Sequence, residues 1–233
     1  MAIVLALVAV VLLLVAVASI WVFGGGGTGS KAEPSPHATE SGRLPPAEAV
    51  ADRDGVIREL PYICGAFRGG LPPLARSMEF TYSYGKYSPA ELPGTQGGTY
   101  QTCTGNPPLG QAYDRGLDAN ATQFATVEEA KKIFERRLIS DAKGGKSTVN
   151  AGAVGPPEKV SGLGDQAYTM RFESNGAQIN LRVRNVIIWL EWTGSSGPRA
   201  VSPPPNQKGL SYEQARQEAF PLTRALLARF PSR

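Results

Sequence analysis

The sequence predicts an α+β domain: an antiparallel sheet that includes a C-terminal three-stranded meander, packed by two main helices, behind one N-terminal transmembrane helix. Three observations carry this. Residues 2 to 23 hold no charged side chain, so the 24 Lys+Arg and 20 Asp+Glu all lie elsewhere. Apolar and polar residues alternate with the two-residue period of strands between 78 and 87 and between 166 and 192. Two later runs with three- and four-residue apolar spacing each open on a hydroxyl residue able to cap a helix. With 42% hydrophobic and 19% charged residues, a multi-span membrane protein and a disordered polyelectrolyte are both excluded.

Residues 1–23 read as the anchor. Ala2 to Phe23 would rise about 33 Å as a helix, enough to cross a hydrocarbon core of roughly 30 Å. Trp21 and Phe23 suit the interfacial belt at its end. A cleaved signal peptide is the rival reading, since Ala16-Val17-Ala18 offers a small-x-small pattern, but the apolar run is long and no basic residue precedes it. No cysteine follows the segment closely enough for lipidation. Residues 24–46, with four consecutive glycines and then Ser, Thr, Pro and Glu, form a flexible tether that carries the single histidine, His37. Residues 47–233 are the extracytoplasmic α+β domain. The flanking Lys31 and Arg43 argue weakly for the opposite orientation. Against them stand Cys64 and Cys103, the two cysteines of the chain, with no neighbouring His or second Cys to suggest zinc or a redox motif. One disulfide, in an oxidising compartment, is the leading reading; two buried thiols is the alternative.

Within the domain, Ala47 to Leu60 is a weakly amphipathic helix candidate interrupted at Gly55. Met78 to Tyr87 and Thr99 to Thr104 read as strands. Thr126-Val127-Glu128-Glu129 is a capping box: Thr126 accepts from the third helical N–H and Glu129 reaches back to the Thr126 amide. Val127, Ala130, Phe134 and Leu138 then share a face until Gly144-Gly145. Gly145-Lys146-Ser147 resembles the end of a phosphate-binding loop but follows a helix and lacks the first glycine, so nucleotide binding is rejected.

The segment from Gly162 to Trp192 encodes the meander. A two-residue turn at Asn175-Gly176 would place Phe172, Met170 and Tyr168 opposite Ile179, Leu181 and Val183, leaving Arg171, Thr169, Gln178, Asn180 and Arg182 on the other face. Alternation changes parity at Asn185, which calls for a second tight turn at Arg184-Asn185 or a bulge there; the turn pairs Val183 with Val186, Leu181 with Ile188 and Ile179 with Leu190. Trp189 then lies opposite Asn180 and diagonal to Arg182, within reach of a cation–π contact. Asp165, after Gly162-Leu163-Gly164, reads as a turn residue bonding local amides. After the loop Gly194 to Gly209, Ser211 caps a last helix with Tyr212, Ala215, Ala219, Leu222 and Leu226 toward the sheet, a kink expected at Pro221, and Arg224 and Arg229 near its C-terminal end.

Chemistry is sparse. One tether histidine leaves no Ser-His-Asp triad, Cys-His pair or histidine metal site, so no catalytic residue, metal ligand or cofactor is assigned and the chain reads as no enzyme. Asp54, Glu79, Asp114, Asp118, Asp165 and Glu191 remain carboxylates that the fold could bring together, which keeps a carboxylate-based envelope hydrolase as a minor alternative. The net charge of +4 is spread rather than striped, which excludes nucleic acid. The candidate binding cluster is Arg171, Arg182 and Arg184 with Trp189, suited to an anionic lipid headgroup or acidic polymer.

Cys64, Cys103, the turn Gly162 to Ala167 and the hairpin Arg182 to Ile188 together resemble the actinobacterial secreted or lipid-anchored proteins with a cysteine-containing domain of unknown function. More distantly they are similar to the extracellular sensor domains of mycobacterial transmembrane Ser/Thr kinases. The resemblance spans about residues 55 to 230. It implies an extracytoplasmic α+β domain with the cysteines paired, and no catalytic residue. The lipobox cysteine of that family is missing here, which implies an uncleaved helix as anchor. The resulting expectation is a single-pass membrane-anchored envelope domain that recognises a lipid, glycan or protein partner. A structural spacer or adaptor without a small ligand is the alternative.

Overall fold

The computed structural model describes residues 44–68, 77–108, 114–143, 153–172, 176–195 and 208–231. The expected spanning helix, most of the tether with His37, the run 144–147 and Asn175 lie outside the described residues. Among the described residues no helix is long and apolar enough to cross a membrane.

Chain order is β1 (Val50–Ala51), β2 (Ile57–Glu59), α1 (Ile63–Arg68), β3 (Glu79–Tyr87), β4 (Gly98–Asn106), β5 (Asp114–Gln123), α2 (Val127–Ala142), β6 (Ala153–Lys159), β7 (Gln166–Phe172), β8 (Gly176–Val183), β9 (Val186–Ser195) and α3 (Tyr212–Leu227). Seven strands form one sheet in the order β3-β4-β5-β9-β8-β7-β6, every neighbouring pair antiparallel. The fold is thus α+β around a large antiparallel sheet, and the expected meander is its β7-β8-β9 half. The two central strands, β5 and β9, each lead into a long helix, and these helices pack on opposite faces.

The first face is apolar by alternation. Leu117, Ala119 and Ala121 of β5, Ile179 and Leu181 of β8, and Ile188, Leu190 and Trp192 of β9 are buried there with Ala215, Ala219, Leu222 and Leu226 of α3. Each fully buried Leu or Ile stabilises the fold by about 1.5–3 kcal/mol. α1 packs beside α3, with Phe67 stacked on Phe80 of β3 at 6.2 Å and Cys64 bonded to Cys103 of β4. Glu218 of α3 locks helix to sheet: it accepts from Arg115 Nε of β5 and Trp192 Nε1 of β9, both at 2.8 Å. Burial raises the Glu218 carboxyl, yet the bonds from Arg115 and Trp192 outweigh that and leave it below the usual carboxylate range.

On the second face α2 packs Ala130 and Phe134 against Tyr168, Met170 and Ile187, with the Phe134 and Tyr168 rings 5.3 Å apart. Thr126 caps α2 by accepting from the Glu129 amide at 3.1 Å. Glu129 reaches back one residue further than expected, accepting from Ala125 N at 3.1 Å and also from Gln96 N at 2.5 Å. Ser211 caps α3 as expected, and α3 continues unbroken across Pro221.

Several expectations are corrected. Residues 47–60 form no helix but the β1-β2 ladder, because Asp52 Oδ1 accepts from the Asp54 and Val56 amides and Gly55 sits at φ 76°, a turn that a helix cannot contain. Strands β5 and β6 were not expected. β5 hides its alternation behind alanines, and β6 carries Gly155-Pro156-Pro157, which is tolerated on a sheet edge with irregular register. In the first meander hairpin Phe172 pairs with Gly176, Met170 with Gln178 and Tyr168 with Asn180. Three residues separate the strands instead of two, so the parity flips and Tyr168 and Met170 face α2. Gly176 belongs to the strand, at a place where a Cβ would meet Trp192 O at 2.5 Å. The second hairpin has the expected pairs Val183/Val186, Leu181/Ile188 and Ile179/Leu190.

Candidate functional site

Asparagine tolerates positive φ better than arginine, yet the Arg184-Asn185 turn does not use it so. The positive φ, 55°, falls on Arg184, not Asn185. Asn185 is instead buried and used as a clamp: its Nδ2 donates to Ile57 O at 3.0 Å and Phe124 O at 2.7 Å, and its Oδ1 accepts from Ile57 N at 2.7 Å. Asp165 acts on the same turn from nineteen residues away, accepting from the Arg184 amide at 2.6 Å and Arg182 Nη1 at 3.2 Å. Its bond is therefore long-range, not local.

The cluster Arg171, Arg182, Arg184 and Trp189 is not brought together. Arg171 pairs with Ala177 and so stands on the α3 face, whereas Arg182 pairs with Gln166 and Ile187 on the α2 face. Arg171 is exposed. Arg182 is buried, and its guanidinium donates to Gln166 Oε1 (2.8 Å), Asp165 Oδ2 (3.2 Å) and Arg184 O (2.8 Å), all at the turn. Arg184 is half-buried, its guanidinium beside Gly55. Trp189 does lie opposite Asn180, on the α2 face. Cys64 and Cys103 are paired, with a Cα–Cα distance of 5.3 Å.

What the structure does assemble is a polar ladder across the middle of the α2 face. Register places Thr81, Thr104, Asp118, Glu191 and Gln178 side by side on five successive strands, β3, β4, β5, β9 and β8. The next row is Ser83, Thr102, Asn120, Trp189 and Asn180. Thr104 Oγ1 donates to Asp118 Oδ1 at 2.6 Å, and Ser83 and Thr102 share a hydroxyl hydrogen bond. Asn180 Nδ2 donates to Gln178 Oε1 at 3.3 Å. Gln178 and Asn180 are both fully buried, yet Gln178 Nε2 and Asn180 Oδ1 have no hydrogen-bond partner among the described residues. A buried polar atom left this way costs about 1–3 kcal/mol unless something fills the gap.

Asp118 and Glu191 are directly opposite each other and half-buried, an arrangement that disfavours charge on both. Burial, followed by the Asp118 charge, pushes the Glu191 carboxyl up to about 7. Burial also raises Asp118, opposed by its bond from Thr104. Both carboxyls are thus held above their ordinary range, and Glu191 changes charge around neutral pH. Among the described residues no group of three or more His, Cys, Asp or Glu is placed to hold a metal ion.

Of the six carboxylates open to convergence in the sequence, these two meet on adjacent central strands. The signal was present in the run from Leu117 to Thr122, where Leu117, Ala119 and Ala121 alternate with Asp118, Asn120 and Thr122. Alanine is too weakly apolar to mark a strand by itself. No family model, curated protein or solved structure matches the chain.

Proposed function

We propose that this chain is a recognition domain held outside the cytoplasmic membrane by its apolar N-terminal segment, and that it takes its ligand on the polar ladder of the α2 face. One observation carries the reading: half-buried Asp118 and Glu191 lie beside Gln178, a buried amide whose Nε2 has no partner among the described residues. A surface used only as a spacer gains nothing from placing like charges opposite each other on its central strands, where they are destabilising. Cys64–Cys103 supports the compartment, since such bonds persist where the medium is oxidising.

Native mass spectrometry of the full chain, purified in detergent from its host, tests the reading. A bound species lost in the double variant Asp118→Asn, Glu191→Gln supports it. A ligand-free protein, or a bound species retained by that variant, refutes it. Alkylation of thiols before lysis tests the compartment: both cysteines protected is the expected result.

A second reading has an observation in its favour. Two cross-strand carboxylates, one of them raised by burial, are the kind of pair that performs acid and nucleophile or base roles in glycoside cleavage. Turnover of glycoside substrates abolished by Asp118→Asn would place the chain among carboxylate hydrolases.

A further inference from the structure

We infer that the ligand of the ladder is an organic cation, a protonated amine or quaternary ammonium, whose charge seats between Asp118 and Glu191 and whose alkyl substituents lie against the Trp189 ring. The inference rests on the reading of this face as the ligand site.

Three features of the geometry converge on it. First, among the described residues neither carboxylate has a salt-bridge partner. Neither the ladder nor the next row contains a Lys or Arg. Of the basic side chains that the sheet puts on the same face, Arg182 of β8 is committed to Asp165, Gln166 and the Arg184 carbonyl, and Lys159, opposite Tyr168, stands on the edge strand β6, three strands from Glu191. From α2, Arg137 feels Tyr168, Asp141 and Tyr87. The charge acting on Glu191 is that of Asp118. A cation between them turns a repulsion into two attractions, and partial burial strengthens both.

Second, Trp189 is two residues before Glu191 on β9, hence on the same face and about 7 Å along the strand. It is half-buried, flanked by Asn120 and Asn180. The guanidinium–ring contacts among the described residues are Arg68 over Tyr62 and Arg216 over Phe220, so no cation of the described residues covers Trp189. An indole face beside carboxylates is the arrangement that holds ammonium groups.

Third, the unpartnered atoms are a donor and an acceptor on the neighbouring strand, Gln178 Nε2 and Asn180 Oδ1. Both are closed to solvent, so they would meet a polar substituent only where it enters past Glu191 and Trp189. Two carboxylates fall short of the oxygen shell that a calcium ion takes from a protein.

Binding is consequently linked to protons. A cation seated between the carboxylates competes with the proton on Glu191, so affinity rises as Glu191 ionises. The experiment is a titration of the full chain in detergent with tetramethylammonium chloride at pH 8.5 and pH 5.5. Isothermal calorimetry and tryptophan fluorescence follow it, and sodium chloride holds ionic strength constant. The expected result is saturable binding at pH 8.5 that weakens at least tenfold at pH 5.5. Glu191→Gln should weaken it at least tenfold at pH 8.5 and Trp189→Leu at least threefold, each variant melting as cooperatively as the parent. No saturable binding at pH 8.5, equal affinity at the two pH values, or full affinity in a folded Glu191→Gln variant would each overturn the inference. Glucose and calcium chloride serve as further probes. If either binds and is lost on Glu191→Gln while tetramethylammonium does not bind, the organic cation is wrong and the ladder remains a ligand site.

Discussion

Replacing Glu191 by Gln removes a charge that the fold holds at a cost, and the consequence for stability can be worked from the structure. Glu191 is lifted from 4.5 to about 7 by burial and by Asp118 across the ladder. Below about pH 4.5 the carboxyl is protonated in both folded and unfolded chains and contributes no pH dependence. Between there and about pH 7 the folded chain binds the proton and the unfolded chain does not, so stability falls as pH rises. Above pH 7 the full penalty applies. A shift of that size corresponds to about 3 kcal/mol. Solvent still reaches the side chain, so about 1–2 kcal/mol is the expected magnitude. Glu191→Gln should therefore gain about 1–2 kcal/mol over the parent at pH 8 and be within about 0.5 kcal/mol of it at pH 4. Urea unfolding of parent and variant, disulfide intact, gives the difference at each pH; the difference cancels the opposing contributions of carboxyls whose pKa is lowered, Glu218 among them. A variant that is less stable than the parent at pH 8, or a difference that does not change with pH, would refute the assignment of a strained carboxylate pair.

Three further outcomes follow from the same geometry. Asn185→Ala strips three hydrogen bonds and orphans the Ile57 amide and the Phe124 carbonyl, while Gln123 Nε2 keeps Ile57 O satisfied at 2.7 Å; urea unfolding should show a loss of about 3–5 kcal/mol. Glu218→Ala leaves Arg115, only 6% exposed, without its ion-pair partner and should cost about 3 kcal/mol in the same assay, whereas Glu213→Ala, whose ion pair with Arg216 is exposed, should change stability by less than about 0.5 kcal/mol. Replacing both Cys64 and Cys103 by Ser opens a loop of 39 residues and should lower stability by about 4 kcal/mol in the chain-entropy account, read as a lower thermal midpoint that no longer responds to reductant.

Local chemistry determined a good part of this molecule without reference to the rest of the chain. The starts of α2 and α3 are legible in Thr126 and Ser211, because a capping hydroxyl and its acceptor geometry involve only four consecutive residues. The β8-β9 hairpin is legible for a similar reason: a parity change at Asn185 permits one two-residue turn, and the pairing of Val183 with Val186 follows. The α+β class and the apolar face of β8 and β9 come from the same alternation. Pairing of Cys64 with Cys103 was favoured by elimination, since no other thiol or histidine ligand was available nearby.

Tertiary structure decided what local signals left ambiguous. The β7-β8 register turned on whether Gly176 served the turn or the strand; it stands in the strand, against Trp192 O sixteen residues away, where a Cβ would come within 2.5 Å. That one choice moved Arg171 to the face opposite Arg182 and dissolved the basic cluster. The carboxylate ladder needed two neighbouring strands far apart in the sequence, β5 and β9, and Asp118 and Glu191 are 73 positions apart before register makes them neighbours. Asn185 and Asp165 were readable as turn formers, yet their partners Ile57, Phe124 and Arg184 are long-range. Periodicity reports which face a side chain takes within its own strand; which strand lies beside it, and so which charges must share a face, is set only when the whole sheet closes around its two helices.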